Sequence, residues 1–126
     1  LKGDKGDTGT GATADLNKAL TLESPTASEK ITIFRTNVAI TVQEVIAVST
    51  VSSGTPSTTY VLRHSTDRSA TGTLVTASGA TTSTTTGDIA TLSDATIPAD
   101  SWVWFESTAA SGTDVVLCVS IRYTED

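Results

Sequence analysis

Large side chains are scarce in this chain, which has two Phe, two Trp, two Tyr and no Met in 126 residues. Any core must therefore be filled mostly by smaller groups. Cys and His occur once each. Cys118 has no partner for an intrachain disulfide, and within "VVLCV" a buried, inert thiol is the default. The redox compartment stays open, because an extracellular protein can do without disulfides. With His64 as the only histidine, a metal site built on imidazoles has no basis. The longest apolar run, Val115 to Val119, falls far short of the roughly 18 residues that cross a bilayer, so no membrane insertion is expected. Lys and Arg total 8 against 14 Asp and Glu, a formal net charge of -6. Such a chain lacks the basic footprint that displaces phosphate counterions, which excludes nucleic acid as a partner. Neither a Gly-x-Ser-x-Gly elbow nor a phosphate loop occurs. Asp94, Asp100, Glu106 and Asp114 fall near turns, where solvated charge is the ordinary reading. Paired carboxylates for glycoside hydrolysis are a three-dimensional matter that sequence leaves open. No catalytic residue, metal or cofactor is expected.

Hydroxyl residues abound instead: 26 Thr and 15 Ser make up a third of the chain. In a disordered tract they would stand without apolar partners. Here Thr is interleaved with Val and Ile, and β-branched residues suit a pleated, half-buried surface. From Lys30 onward strand follows strand: "KITIF", "VAITVQEVIAV", "TTYVLRHS", "GTLVTA", "GDIATL", "SWVWFES" and "DVVLCVSIRY". The last places Val115, Leu117, Val119, Ile121 and Tyr123 on one face. The second places Val38, Ile40, Val42, Ile46 and Val48 on one face, interrupted at Glu44. That carboxylate marks either a β-bulge or a charge for an Arg across a subunit contact. Turn signals recur at Gly54, Gly72, Gly79, Gly87, Pro98 and Gly112. This rhythm predicts an all-β fold over residues 30–126, an antiparallel, jelly-roll-like β-sandwich. Residues 12–29 read as a connector; Leu16, Ala19 and Leu20 fit a short helix capped by Asp15, or an extended stretch before Pro25.

The first eleven residues obey another rule. Gly3, Gly6 and Gly9 recur every third position, and Ala12 breaks the phase. Only glycine fits the crowded axis of a collagen triple helix. "KGD" occurs twice in the same frame, which sets Lys and Asp within pairing distance on staggered neighbouring chains. Each such exposed pair contributes up to about 1 kcal/mol. So short a piece cannot trimerise alone. It reads as the end of a longer stalk, and Leu1 in place of an initiator Met agrees with a piece of a longer protein. The expectation is a homotrimer in which residues 30–126 cap the stalk. Repulsion between acidic subunits predicts that its trimers strengthen modestly with salt.

The motifs "KGDKGDTG", "ITVQEVIAV", "SGTPSTTYVLRHSTDRSATGT" and "IPADSWVWFESTAASGTDVVLCVSIRYTED" together resemble the distal parts of bacteriophage tail and head fibres. The resemblance implies a trimeric structural head at the fibre tip of a virion, extracellular and able to attach to a glycan or protein of a bacterial host. A rival resemblance is to the trimeric jelly rolls that cap collagen-like filaments on bacterial spores and in the complement and tumour-necrosis-factor families. That rival implies a lectin-like, carbohydrate-binding module on a bacterial cell or spore surface. A polysaccharide-degrading fibre domain is a third reading, for which the chain is short.

Candidate recognition residues cluster in "YVLRHSTDR", where Tyr60, Arg63, His64, Asp67 and Arg68 bring aromatic, cationic and acidic groups to a strand end. Trp102 and Trp104 share a face, as a sugar platform or as packing. Candidates for core or trimer packing are Ile40, Val42, Trp102, Trp104, Val115, Leu117, Val119 and Ile121. The trimer is expected to bury either the odd-numbered face of the last strand or the Ile40/Val42 stripe.

Overall fold

The computed structural model describes residues 14–83, 85–113 and 115–126; Gly3, Gly6 and Gly9 lie outside them. Among the described residues ten strands run β1 (Leu16–Glu23), β2 (Lys30–Arg35), β3 (Ile40–Thr50), β4 (Ser53–Ser65), β5 (Thr73–Leu74), β6 (Ala80–Thr82), β7 (Asp88–Ile89), β8 (Thr96–Ile97), β9 (Trp102–Thr113) and β10 (Val116–Glu125). They form two antiparallel sheets. The first has the order β1-β10-β3-β7 with β8 also on β3, and the second β2-β9-β4-β5 with β6 also on β4. The chain crosses between sheets at β1–β2, β2–β3, β3–β4, β6–β7, β8–β9 and β9–β10. Its last two strands fall between its first ones, which is the wrapping order of a jelly roll.

The core lies between the sheets. From the first come Ile40, Val42, Val45, Ala47, Leu117, Val119, Ile121 and Tyr123; from the second come Tyr60, Leu62, Val103 and Phe105. Threonine supplies what the aromatics cannot. Thr82 Oγ1 donates to Ala47 O across the sandwich at 3.0 Å, and Thr76 Oγ1 accepts from Leu62 N at 3.0 Å, both in buried surroundings. A β-branched side chain that fills space and pairs a backbone group suits a thin core, where an unpaired polar group costs about 1–3 kcal/mol.

Three expectations change here. Residues 16–23 are no connector: β1 pairs along its length with β10, from Leu16↔Tyr123 to Glu23↔Val116. Leu16, Leu20 and Leu22 pack on the core because their spacing also satisfies the two-residue period of a strand. Next, β3 carries a bulge. Tyr123 faces Val42 and Arg122 faces Glu44, which leaves Gln43 as an extra residue. The inward parity shifts there from Ile40 and Val42 to Val45, Ala47 and Ser49, so Ile46 and Val48 turn outward. Glu44 thus sits at a bulge, and Arg122 reaches Asp15 instead, at 3.3 Å. Finally, both faces named for trimer packing are internal. Ile40, Val42, Leu117, Val119 and Ile121 are buried within one chain, and Val115 is buried too, so none is available to a neighbour.

Candidate functional site

The outer face of the second sheet is where side-chain chemistry gathers. Cross-strand register lays out three rows on it: Lys30–Glu106–Val61, Thr32–Trp104–Arg63 and Arg35–Trp102–Ser65. Trp102 and Trp104 share this face as their spacing predicts, yet their surroundings differ. Trp102 is half-buried with the Arg35 guanidinium 5.7 Å above its ring, and Arg35 pairs with Asp100 at 3.4 Å. Trp104 points away from the core and is nevertheless 0% exposed.

Its cover is the loop between β4 and β5, residues 66–72. Arg68 reaches back over the indole, its guanidinium carbon 4.3 Å from the ring centroid, and its Nε donates to Thr32 Oγ1 at 2.8 Å. At the far end of the loop Gly72 rests on the same ring. Its φ is +83°, and a Cβ there would stand 2.6 Å from Trp104 Cη2 and Cζ2, so only glycine fits. Asp67 organises the bend: Oδ1 accepts from Ser69 N at 2.9 Å and from Ser69 Oγ at 2.7 Å. Those two bonds, the hydroxyl's above all, hold its carboxyl below the usual range.

Polar bonds tie the loop to the sheet. Trp104 Nε1 donates to Glu106 Oε2 at 2.7 Å. Arg63 Nε lies 3.3 Å from Glu106 Oε1, an ion pair without hydrogen-bond geometry, and Arg63 Nη1 donates to Gly72 O at 3.2 Å. Between loop and sheet lies a groove of about 270 Å³ lined by Lys30, Arg63, Arg68, Glu106 and residues 69–71.

The structure divides the five expected recognition residues. Arg63 and Arg68 line this groove, and Asp67 shapes the loop behind it. Tyr60 and His64 do not belong to a ligand surface, because strand alternation turns both inward, away from Arg63. Tyr60 is 1% exposed and stacks on Phe105 with centroids 5.4 Å apart. Burial first, and the charge of Asp88 second, push its hydroxyl up to about 12. His64 is 7% exposed, with Nε2 3.1 Å from Asp94 Oδ2 on the segment between β7 and β8. Lys30 and Glu106 escaped the sequence reading, since only the β2–β9 register brings Lys30 beside a residue 76 positions away. Among the described residues no group of three or more His, Cys, Asp or Glu is placed to hold a metal.

A different surface covers the first sheet. Ile46, Val48 and Cys118 lie half-buried on its outer face beside Ala19, and Ile89, paired with Ile46, is 64% exposed.

No protein-family model matches the chain, and no curated protein does. Among solved structures it is similar to a chain of the cyanophage Pam1 capsid asymmetric unit. The two are 16% identical, the match covers 98% of this chain and 94% of that one, and the TM-score is 0.57. At that identity the likeness is one of fold.

Proposed function

We propose that this chain is the head domain of a bacteriophage structural fibre, a homotrimer that caps a collagen-like stalk at the virion surface and attaches to a bacterial host. The observation that carries the reading is a juxtaposition. Two in-phase Lys-Gly-Asp units stand in the sequence shortly before β1 of a jelly roll, and a cyanophage capsid chain shares that fold. Collagen-like winding needs three chains, so the domain behind it must tolerate or enforce threefold contact.

With the inner faces occupied, the contact falls to the outer face of the first sheet. Ile46, Val48, Cys118 and Ile89 form an apolar strip there. The same sheet has β1, the strand that the glycine stretch leads into, at its edge. Light scattering on the full chain tests the reading: three times the 12.9 kDa chain mass is expected. A monomer at micromolar concentration would sink the cap and leave the glycines as a linker. A lectin-like module on a bacterial or spore filament is the second reading, favoured by the cationic groove; it keeps the trimer and gives up the virion.

A further inference from the structure

The groove over the second sheet has engaged its one carboxylate and left its cations unengaged. Both oxygens of Glu106 are taken, one by Trp104 Nε1 and one facing Arg63 Nε. Lys30 stands opposite Glu106 in the register, yet its Nζ has no hydrogen bond or ion pair among the described residues. Arg63 uses Nε and Nη1, which leaves Nη2. Arg68 uses Nε and its flat face, which leaves both terminal nitrogens. Three positive charges against one negative give the groove +2, in a chain whose formal net charge is -6. The two guanidinium groups are already fixed, by Gly72 and Glu106 for Arg63, and by Trp104 and Thr32 for Arg68. A ligand would find donors in place and lose little entropy in ordering them.

We propose that this groove binds an anionic saccharide, a hydroxylated ring that carries a carboxylate or a phosphate. Planar arginine forks match both oxyanions, and Lys30 adds a point charge at the rim. Ser69 and Thr71 supply hydroxyls of the kind that pair with sugar hydroxyls. The lining also argues against a protein partner. Ala70 is its largest wholly apolar side chain, whereas protein interfaces are anchored by buried aromatic or aliphatic groups. Trp104 is sealed beneath Arg68 and offers no stacking platform, so a neutral sugar has little to hold. The biological setting rests on the host-facing role proposed above, with threefold presentation supplying avidity.

Calorimetric titration of the full chain tests this with five probes: an oligoglucuronate, a phosphorylated oligoglucose, neutral oligoglucose, inorganic phosphate and an oligoglutamate peptide. At least one charged sugar binds, more weakly as salt rises, and the neutral sugar does not. Lys30→Gln and Arg68→Gln each weaken binding about tenfold, the loss of one charge-assisted contact. Because Lys30 is exposed, K30Q keeps the wild-type unfolding midpoint and separates recognition from folding. The saccharide assignment is overturned if neither charged sugar binds, if both variants bind like wild type, or if neutral sugar, free phosphate or the peptide binds as tightly as the charged sugars. A monomer that binds the charged sugar defeats the fibre cap and spares this site; a trimer that binds neither does the reverse.

Discussion

The two sheets present opposite solutions to the same problem, what to do with the face that the core does not use. Around Ile46 on the first sheet the outward side chains are small or aliphatic, Ala19, Val48, Cys118 and Ser120 among them, and nothing described in the chain closes over Ile89. On the second sheet an indole occupies the outward position, and the chain folds seven of its own residues over it. The covered face gains rigidity and a charged rim; the bare face keeps an apolar strip. On the function and ligand proposed above, the jelly roll divides its labour by face, one side meeting copies of itself and the other a ligand.

That contrast can be broken at its strongest point by Trp104→Ala. The loss is expected to be about 3–5 kcal/mol in chemical denaturation, the cost of a buried ring rather than a surface one. A change within about 0.5 kcal/mol, the surface norm, would mean that the loop is no roof. Gly72→Ala comes next, with Gly79→Ala as its control. Both glycines have φ of +83°, but only Gly72 abuts the indole, and a Cβ at Gly79 meets nothing within 4 Å. Both variants carry a backbone cost of about 1–2 kcal/mol, and overpacking adds about 1–3 kcal/mol at Gly72 alone. Equal losses would show that the loop does not bear on Trp104.

Tyr60 gauges the interior that both faces share. Burial pushes its hydroxyl up to about 12 in the fold from the ordinary tyrosine value of 10.0, so the folded state holds its proton more tightly. The stability this provides is complete below pH 10 and declines as pH rises toward 12, by roughly 2 kcal/mol at the upper end. Tyr123, also raised by burial and by the charge of Glu125, acts in the same direction. Tyr60→Phe should keep its melting temperature further into alkali than wild type; coincident pH profiles would refute the inward placement. The smallest effect on folding belongs to Ile89→Asp on the bare face. Chain stability changes by about 0.5 kcal/mol or less, while the molar mass falls to that of a single chain. If the trimer persists, the bare face is not its contact.

Much of this architecture was legible in the sequence. Alternating Thr, Val and Ile announced strands, the last strand's inward face was read residue by residue, and Glu44 was recognised as a bulge candidate. What escaped was relational. A bulge at Gln43 reverses parity, so Ile46 and Val48 were placed beside Val42 when they face the other way. Leu16, Ala19, Leu20 and Leu22 satisfy helix and strand spacing alike, and only β10 decides between them. Arg63 and Arg68, which line one groove, were named together because they are close in sequence. Tyr60 and His64 were wrongly joined to them for the same reason, since neighbours along a strand point to opposite sides. Lys30 and Glu106 had no local mark, because register between distant strands is a property of the whole sandwich.

Gln43 acts on its strand as an inserted letter acts on a reading frame. Upstream, even positions are interior; downstream, odd ones are. Were Gln43 to take an ordinary place in the pleat, with no bulge to absorb it, everything from Glu44 to Thr50 would read in the other phase. Ile46 and Val48 would enter the core, Val45 and Ala47 would take the surface, and the apolar strip would shrink without one hydrophobic residue being lost. Whether this chain has a sticky face is therefore written in its spacing, and a composition table would not reveal it.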